Sequence, residues 1–531
     1  MNMKNTLKNI LLGGLAVAML ASCDLNRFPS TSIPYEDGDF LLLSSEDVLD
    51  FNNGVIATYR GLHYGSHYQT VDVMTECFNA TIDFGNNYGF VHRLGDGFNA
   101  NDGNVEGIWA AHYGAIMTYN VAIEQVDMLF ELYPETDLAL EAYWLKANAL
   151  FCRASSYLTL ARAFSKDYDP ATASDELAVP LILKYNQYEL PVRETLENVY
   201  TQIIDDLDYA QELMEAIAEV APAVNLNGSK LYLDGAPKSL APTIDAVKAV
   251  KARCYLDMHE YEDAAEYAME VIKSPAGYAL ASDGDEMYNE FMSDDGNESL
   301  MRLYAKKDGE GRVGCTIYTS VGKTEDVKYF APLFLPSQSI LDAYANTDLR
   351  KQLWFPVSGK GDTYPVRIQG QYHEGIHVFT KYIGHPTLYS GKFEDGSHYC
   401  KPIMIAEMYL IAAEAYAAAG DEGDAKSILN KLKTARKAGA TTGDIWDEIK
   451  IEWLRETVGD GQRINCIKRW GDGLPERPAQ PAASALVMST PVADYTERSV
   501  DADSYTLVWP IPSYEIKIAP GLIQNDGYSA Q

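Results

Sequence analysis

Basic residues are in short supply in this chain: 43 lysines and arginines stand against 76 aspartates and glutamates, for a formal net charge of −33. So acidic a surface repels nucleic acid and anionic lipid headgroups, which excludes proteins that hold polyanions by bulk charge. It favours neutral or cationic ligands. Cysteine is sparse too, seven residues scattered singly. With no CxxC pair, a zinc cage is not indicated. Neither a GxSxG elbow nor a P-loop string occurs, and nothing else in the pattern argues for catalysis. Beyond residue 23 no apolar run approaches the roughly 20 residues of a membrane-spanning helix. Hydrophobic residues at 47% and charged ones at 22% are ordinary for a globular protein. A length of 531 residues suffices for one large domain or two to three smaller ones.

The N-terminus is a leader. Lys4 and Lys8 form a positive start, and residues 10–20 are apolar apart from Gly13 and Gly14. Leu20-Ala21-Ser22-Cys23 follows, a lipoprotein cleavage box whose cysteine thiol takes the lipid before cleavage. Residues 1–22 therefore read as a signal peptide and Cys23 as the lipidated first residue of the mature chain. Residues 23–40 read as its tether. This places the protein outside the cytoplasm, anchored to a membrane and not embedded in it. The other six cysteines are even in number and permit disulfides, with no connectivity legible. Cys152 and Cys254 fall at apolar positions of helical patterns, as buried thiols do.

Ser44-Ser45-Glu46-Asp47 marks a helix start, with a capping serine and acids in the first turn. Residues 61–107, rich in Gly, Asn and aromatics, show no helical period and read as loops and short strands. Helical patterns cover residues 108–133, 136–164 and 194–217, the last with Tyr200, Ile203, Ile204, Leu207, Ala210 and Leu213 on one face. A repeat is present. Ala252, Tyr255 and Ala264 recur at the same spacing as Ala413, Tyr416 and Ala425, with His259 and Gly420 at the turns. Small residues where two helices touch, with an aromatic across the pair, are the tetratricopeptide (TPR) pattern. Such hairpins need stacked neighbours, so residues 142–272 and 403–470 are expected to join into one scaffold. The fold class is mainly α, a TPR-like helical-hairpin scaffold with irregular loop and short-strand insertions. Residues 41–531 form one domain, with TPR-type helices at about 108–272 and 401–470. Loop-rich insertions fill about 61–107 and 278–400, the latter with β-branched runs such as Thr316-Ile317-Tyr318-Thr319.

Four strings invite a chemical reading. His373-Glu374-Gly375-Ile376-His377 fits HExxH, but zinc chemistry needs both histidines one helical turn apart, and glycines with a following Val-Phe-Thr read as strand. The GxGxxG string at residues 309–314 is followed by strand-like residues, not the helix a dinucleotide requires. His63 and His67 flank Gly65 with no carboxylate to complete a metal set. The acid pairs Asp205-Asp206 and Asp294-Asp295 are adjacent and do not face each other across a cleft as glycosidase carboxylates must. They read as solvated charge. No cofactor or metal is indicated.

Tyrosine is the compositional oddity, 36 against 16 Phe and 7 Trp. Its flat apolar face and polar tip suit wet recognition surfaces. Three segments carry a resemblance: residues 402–416 (PIMIAEMYLIAAEAY), 463–471 (RINCIKRWG), and Trp509-Pro510-Ile511-Pro512 through 524–528 (QNDGY). With Asp348-Leu349-Arg350 and Lys381-Tyr382, the chain resembles the SusD/RagB outer-membrane lipoproteins of Bacteroidetes over nearly its whole length. One departure is Met404, where that family often has arginine, which removes a potential buried ion pair.

The resemblance implies a helical scaffold at the cell surface, lipid-anchored in the outer membrane, riding on a SusC-like TonB-dependent transporter. It implies capture of glycan and its delivery to that transporter without hydrolysis, and no nucleic-acid partner. A peptide-binding RagB-like role and a structural TPR adaptor of a surface complex are the alternatives. Composition places the ligand site on residues 61–109 and 278–329, where aromatics stack on sugar rings and Asn, Asp and Arg bind hydroxyls. The candidates are Asp83, Asn86, Asn87, Tyr88, Arg93, Tyr304 and Tyr318.

Overall fold

Antiparallel helix pairs dominate the computed structural model, which describes residues 40–529 apart from positions 65, 96, 319, 362 and 390 and residues 185–189, 227–228 and 307–316. The leader, Cys23, the tether, the 309–314 string and Cys315 lie outside the described residues. The main helices are α1 (Ser45–Leu62), α2 (Ser66–Met74), α3 (Gly103–Leu132), α4 (Ala139–Phe164), α5 (Leu196–Val220), α6 (Ile244–Asp257), α7 (Tyr261–Ile272), α8 (Ile405–Ala418), α9 (Glu422–Ala435), α10 (Ile445–Thr457) and α11 (Arg463–Trp470). The short strands are β1 (Phe78–Ala80), β2 (Ala223–Leu226), β3 (Ser229–Tyr232), β4 (Ser299–Met301), β5 (Val321–Lys323), β6 (Lys328–Phe330), β7 (Phe334–Pro336), β8 (Val366–Ile368), β9 (Gln371–His373) and β10 (Ile403–Met404).

Each helix of the series α3 to α11 packs on the next, and α7 packs directly on α8 although some 130 residues separate them. The hairpins therefore form one continuous stack, with α1 lying across α3 and α4. Repeat chemistry explains the contacts. Ala252, Ala264, Ala413 and Ala425 are fully buried, small enough to let backbones approach. Tyr255 stacks on Tyr267 at 5.6 Å with rings 3° apart.

Both repeat hairpins close the same way. His259 and Gly420 adopt left-handed φ of +62° and +84°. Beyond them Glu260 N–H donates to Tyr255 O and Asp421 N–H to Tyr416 O, the Schellman closure of a helix end. A Gly420→Ala variant is expected to lose about 1 kcal/mol, the left-handed penalty of a Cβ, read as a lowered midpoint in thermal unfolding.

Caps match the sequence signals. Ser44 Oγ accepts from Asp47 N at 3.2 Å ahead of α1. Helix α2, in contrast, falls inside the segment read as loop and short strand. Its last six residues, 69–74, are all buried, so no polar face marks a helical period. Of the β-branched run near 317, the described residues Ile317 and Tyr318 lie in a turn and not in a strand, and Ile317 O accepts from Leu333 N and Phe334 N. Five cysteines (77, 152, 254, 400 and 466) are buried free thiols.

Between α7 and α8 the insertion builds a four-stranded sheet in the order β5-β6-β8-β9, with β6 and β8 parallel and the other pairs antiparallel. One face of it covers a cluster containing Phe330, Val366, Ile368, Ile376, Val378 and Val487. Among the described residues no helix is long and apolar enough to cross a membrane.

Candidate functional site

The loop after β1 is pinned from both sides. Thr81 N–H donates to Leu333 O at 2.8 Å and Ile82 N–H to Leu486 O at 2.9 Å. Buried Arg477 lies beneath, donating through Nη2 to His92 O at 2.7 Å and to Asp494 O at 3.0 Å. From this base the backbone turns through left-handed Gly85, Asn86 and Tyr88. Gly89 leaves room for the Asn86 side chain, whose Oδ1 would lie 1.9 Å from a Cβ there and would have to swing aside. The turn lifts Asp83, Asn86 and Asn87 into solvent, with Tyr88 and Arg93 half-buried beside them.

Internal bonds fix these side chains. Arg93 Nη1 donates to Asn86 Oδ1 at 3.3 Å and to Tyr495 Oη at 2.8 Å, and its guanidinium lies over the Phe90 and Tyr495 rings. Tyr88 Oη donates to Gln69 Oε1 at 3.2 Å, and Asn87 Nδ2 to Phe84 O at 2.8 Å. Asp83 Oδ2 accepts from Gln369 N at 2.7 Å. That bond joins the loop to the β8–β9 hairpin, whose turn residues Gln369 and Gly370 have φ of +47° and +78°. Two left-handed central residues are what the tight type I′ hairpin needs.

The sheet continues the surface. Strand alternation sends Phe330, Val366 and Ile368 inward and puts Gly322, Tyr329, Arg367 and Tyr372 on the opposite face. Gly322 pairs with Tyr329 and Arg367 with Tyr372, and since Phe330 lies opposite Val366 the two pairs share one face, offset by two residues along the strands. A Cβ at Gly322 would sit 2.5 Å from Tyr329 Cζ, so glycine lets that ring lie down on the sheet. Arg367 Cζ is 5.1 Å from the Tyr329 centroid. Tyr372 is 43% exposed, edge-on to Tyr329 at 5.9 Å, and its hydroxyl meets Thr324 Oγ1 at 3.2 Å. Sequence reasoning missed Arg367 and Tyr372. The signal was there: alternating Val366-Arg367-Ile368 and Gln371-Tyr372-His373 flank a Gln-Gly turn.

Not every candidate joins this surface. Tyr318 is a correction: its ring is 2% exposed, stacked on Phe78 at 4.3 Å and edge-on to Phe379 at 5.2 Å. A ring with both neighbours in the core has no face left for a sugar. Tyr304 is exposed, but its carbonyl accepts from Arg60 Nη1 at the end of α1, and no bond or ring contact among the described residues ties it to the 82–93 loop.

The acid pairs also need correction. Asp206 is buried and receives Arg153 Nη2 at 2.7 Å, and Asp294 is buried against Lys401 Nζ at 2.7 Å. Each pair has one solvated and one structural acid. His373 lies in β9 and His377 Nδ1 meets Phe355 O at 2.6 Å, so the HExxH string is not helical. Among the described residues no three His, Cys, Asp or Glu side chains gather as a metal site.

The resembling motifs sit elsewhere, inside the frame. Glu407 takes Arg253 Nε at 2.7 Å, an arginine from α6 that serves where Met404 cannot. Arg469 grips Glu414 through two bonds of 2.8 and 2.9 Å, and Trp470 Nε1 adds a third at 2.8 Å. Lys381 Nζ is held by Glu456 O, Val458 O and Asp460 Oδ2, over the Trp354 ring. Near the C-terminus Gln524 brackets Ile511 through its N–H and carbonyl, and Asn525 Nδ2 bonds Trp509 O.

Comparison with known proteins agrees with the fold. The model of the SusD family matches residues 236–528, and a family described as starch-binding, associating with the outer membrane, matches residues 36–229. Among solved structures, a SusD superfamily protein from Bacteroides thetaiotaomicron aligns at 22% identity and TM-score 0.71, covering 91% of this chain and 100% of its own. A SusD-like carbohydrate binding protein from Bacteroides vulgatus aligns at 18% and 0.67, covering 90% and 97%. A laminarin binding SusD-like protein aligns at 18% and 0.62, covering 90% and 99%. No protein of curated function matches the chain.

Proposed function

The chain belongs to the SusD family, and from that premise we propose that it is a cell-surface lipoprotein that captures oligo- or polysaccharide and does not cleave it. Its binding face is the 82–93 loop together with the outer side of the sheet. The observation that carries this reading is the outer face of the sheet, where Tyr329 and Tyr372 meet edge to face beside Arg367, an aromatic patch on a face where a solvated strand ordinarily shows polar side chains. Tyrosine rings offer the apolar side of a sugar a stacking partner, and Asp83, Asn86, Asn87 and Arg93 alongside supply hydroxyl contacts. Rigid support beneath a polar loop is the usual arrangement for recognition.

The leader and Cys23 support an outer-membrane lipid anchor, with residues 23–40 as tether and 41–531 as a single binding body. Delivery to a SusC-like TonB-dependent transporter completes the scheme. Tyr304 stands apart from the proposed face and is a secondary candidate.

Affinity electrophoresis of the mature chain through a panel of plant, fungal and host polysaccharides tests the proposal. At least one glycan should retard the protein without release of reducing ends. Tyr372→Ala and Tyr88→Ala should each weaken that binding about tenfold, the weight of one well-placed contact, with the melting temperature unchanged by Tyr372→Ala. Retardation by no glycan, or release of products, would contradict it.

A further inference from the structure

We infer that the sheet face selects a uronic-acid-containing glycan, with Arg367 receiving the carboxylate of a sugar that rests on Tyr372. This rests on the glycan reading and narrows it. The chain is strongly acidic; buried Arg477 and Arg498 donate to backbone carbonyls, and Arg153, Arg253, Arg350, Arg436, Arg463 and Arg469 carry carboxylate partners. Arg367 does neither. Its contact among the described residues is with the Tyr329 ring, and no ion pair or hydrogen bond engages its guanidinium. The acids at the ends of the sheet are Glu325 and Asp326 in the β5–β6 turn, Asp83 at the β8–β9 turn and Glu374 after β9. None pairs with it. A cation left unmatched on an aromatic face is complementary to an anionic group set against it, a local attraction that acts against the overall charge of −33.

Geometry narrows the anion. Arg367 and Tyr372 are cross-strand partners, whose Cβ atoms lie roughly 5 Å apart on one face. A pyranose stacked on Tyr372 therefore carries its ring substituents over Arg367. The Tyr329 ring takes none of the N–H donors of the guanidinium in a hydrogen bond, and no hydrogen bond among the described residues does. A planar carboxylate borne directly on the sugar ring meets guanidinium N–H groups through two parallel bonds, which a neutral hydroxymethyl group cannot do; a sulfate ester can also accept two, and the test separates the two anions.

The test uses the full mature chain and isothermal titration against oligogalacturonide, glucuronoxylan and alginate oligomers. Comparators are the methyl-esterified galacturonide, a sulfated galactan and laminarin. At least one uronate ligand should bind about tenfold more tightly than its neutral counterpart, the weight of one charge-assisted pair. Added salt should shrink the difference, Arg367→Gln should erase it, and Arg367→Lys should keep part of it. Equal binding of acid and ester, a preference that survives Arg367→Gln, or a preference for the sulfated galactan overturns the inference. Binding of laminarin with no binding of any uronate ligand overturns it while leaving glycan capture standing. Binding of no glycan at all removes both.

Discussion

An Arg436→Ala variant is expected to lose about 3–5 kcal/mol of stability, the cost of stranding buried charges without their partner. Arg436 is fully buried and donates to both oxygens of Glu298 at 2.6 and 2.8 Å and to both oxygens of Glu456 at 2.6 and 3.0 Å. Arg350, equally buried, takes the other side of Glu456 at 2.8 Å, and also Glu452 at 2.7 Å and Asp348 at 2.8 Å. Burial alone would raise the Glu456 carboxyl, but the two guanidinium groups outweigh it and hold the group down to about 2.

The network joins separate parts of the chain. Glu298 leads into β4, Arg350 sits in the short helix Leu349–Trp354, and Arg436 and Glu456 belong to α9–α10 and its end. Its loss should therefore loosen the insertion from the hairpins as well as lower the midpoint. Thermal or guanidinium unfolding checks this, with Lys166→Ala as control. Lys166 pairs with Glu176 at 2.9 Å, but its side chain is 54% exposed, and an exposed pair is worth less than about 1 kcal/mol. Equal effects from the two variants would contradict the assignment.

The second large effect is with pH. His92, His112 and His398 are buried, and His63 and His67 line an internal cavity of about 70 Å³ with His112. Desolvation holds all five below the ordinary imidazole range, His63 at about 3, His67 and His398 at about 4. Neighbouring His67 adds to the effect at His63 and His112, and Arg477 to that at His92.

A group depressed in the folded state binds its proton first in the unfolded chain. Its stabilisation is therefore complete above about 6.5, the free-histidine value, and is lost as pH falls toward the folded value. Each such histidine contributes up to about 1.4 kcal/mol per pH unit in that window. His259 pulls the other way, since the Asp167 carboxylate 3.4 Å from its Nε2 raises it. Buried Asp72 and Asp460, raised mainly by desolvation, also do so at lower pH. The melting temperature should thus fall steadily from pH 7 to pH 5, and His112→Gln should flatten that slope. A midpoint flat across this range would contradict the histidine account.

Much of the frame was legible because its chemistry is local. Alanines at fixed spacing and a glycine or histidine at the turn predict a helical hairpin whatever surrounds it. Helix α2 was missed because burial on all sides erases the amphipathic signal. Asp206 and Asp294 looked like surface charge because their partners, Arg153 and Lys401, lie about 50 and 110 residues away and carry no sequence mark. The proposed binding face was partly legible: a Gly- and Asn-rich loop announces exposure, and Asp83, Asn86 and Asn87 are exposed. Tyr318 was misplaced because a tyrosine that packs a core and one that faces solvent read alike. The signature residues Glu414, Arg469 and Lys381 explain why resemblance identifies the fold so readily and the ligand so poorly. Glu414 and Arg469 bind each other, and Lys381 binds Glu456 O, Val458 O and Asp460, all within the frame.

The claim on which the account turns is that a rigid helical stack presents one defined glycan face. Hydrogen–deuterium exchange of the mature chain, with and without the tightest oligosaccharide from the panel, tests it most directly. The account predicts protection concentrated in residues 82–93, 321–329 and 366–373, with the α3–α11 stack unchanged. Protection centred on the helices, or spread evenly over the chain, would contradict it.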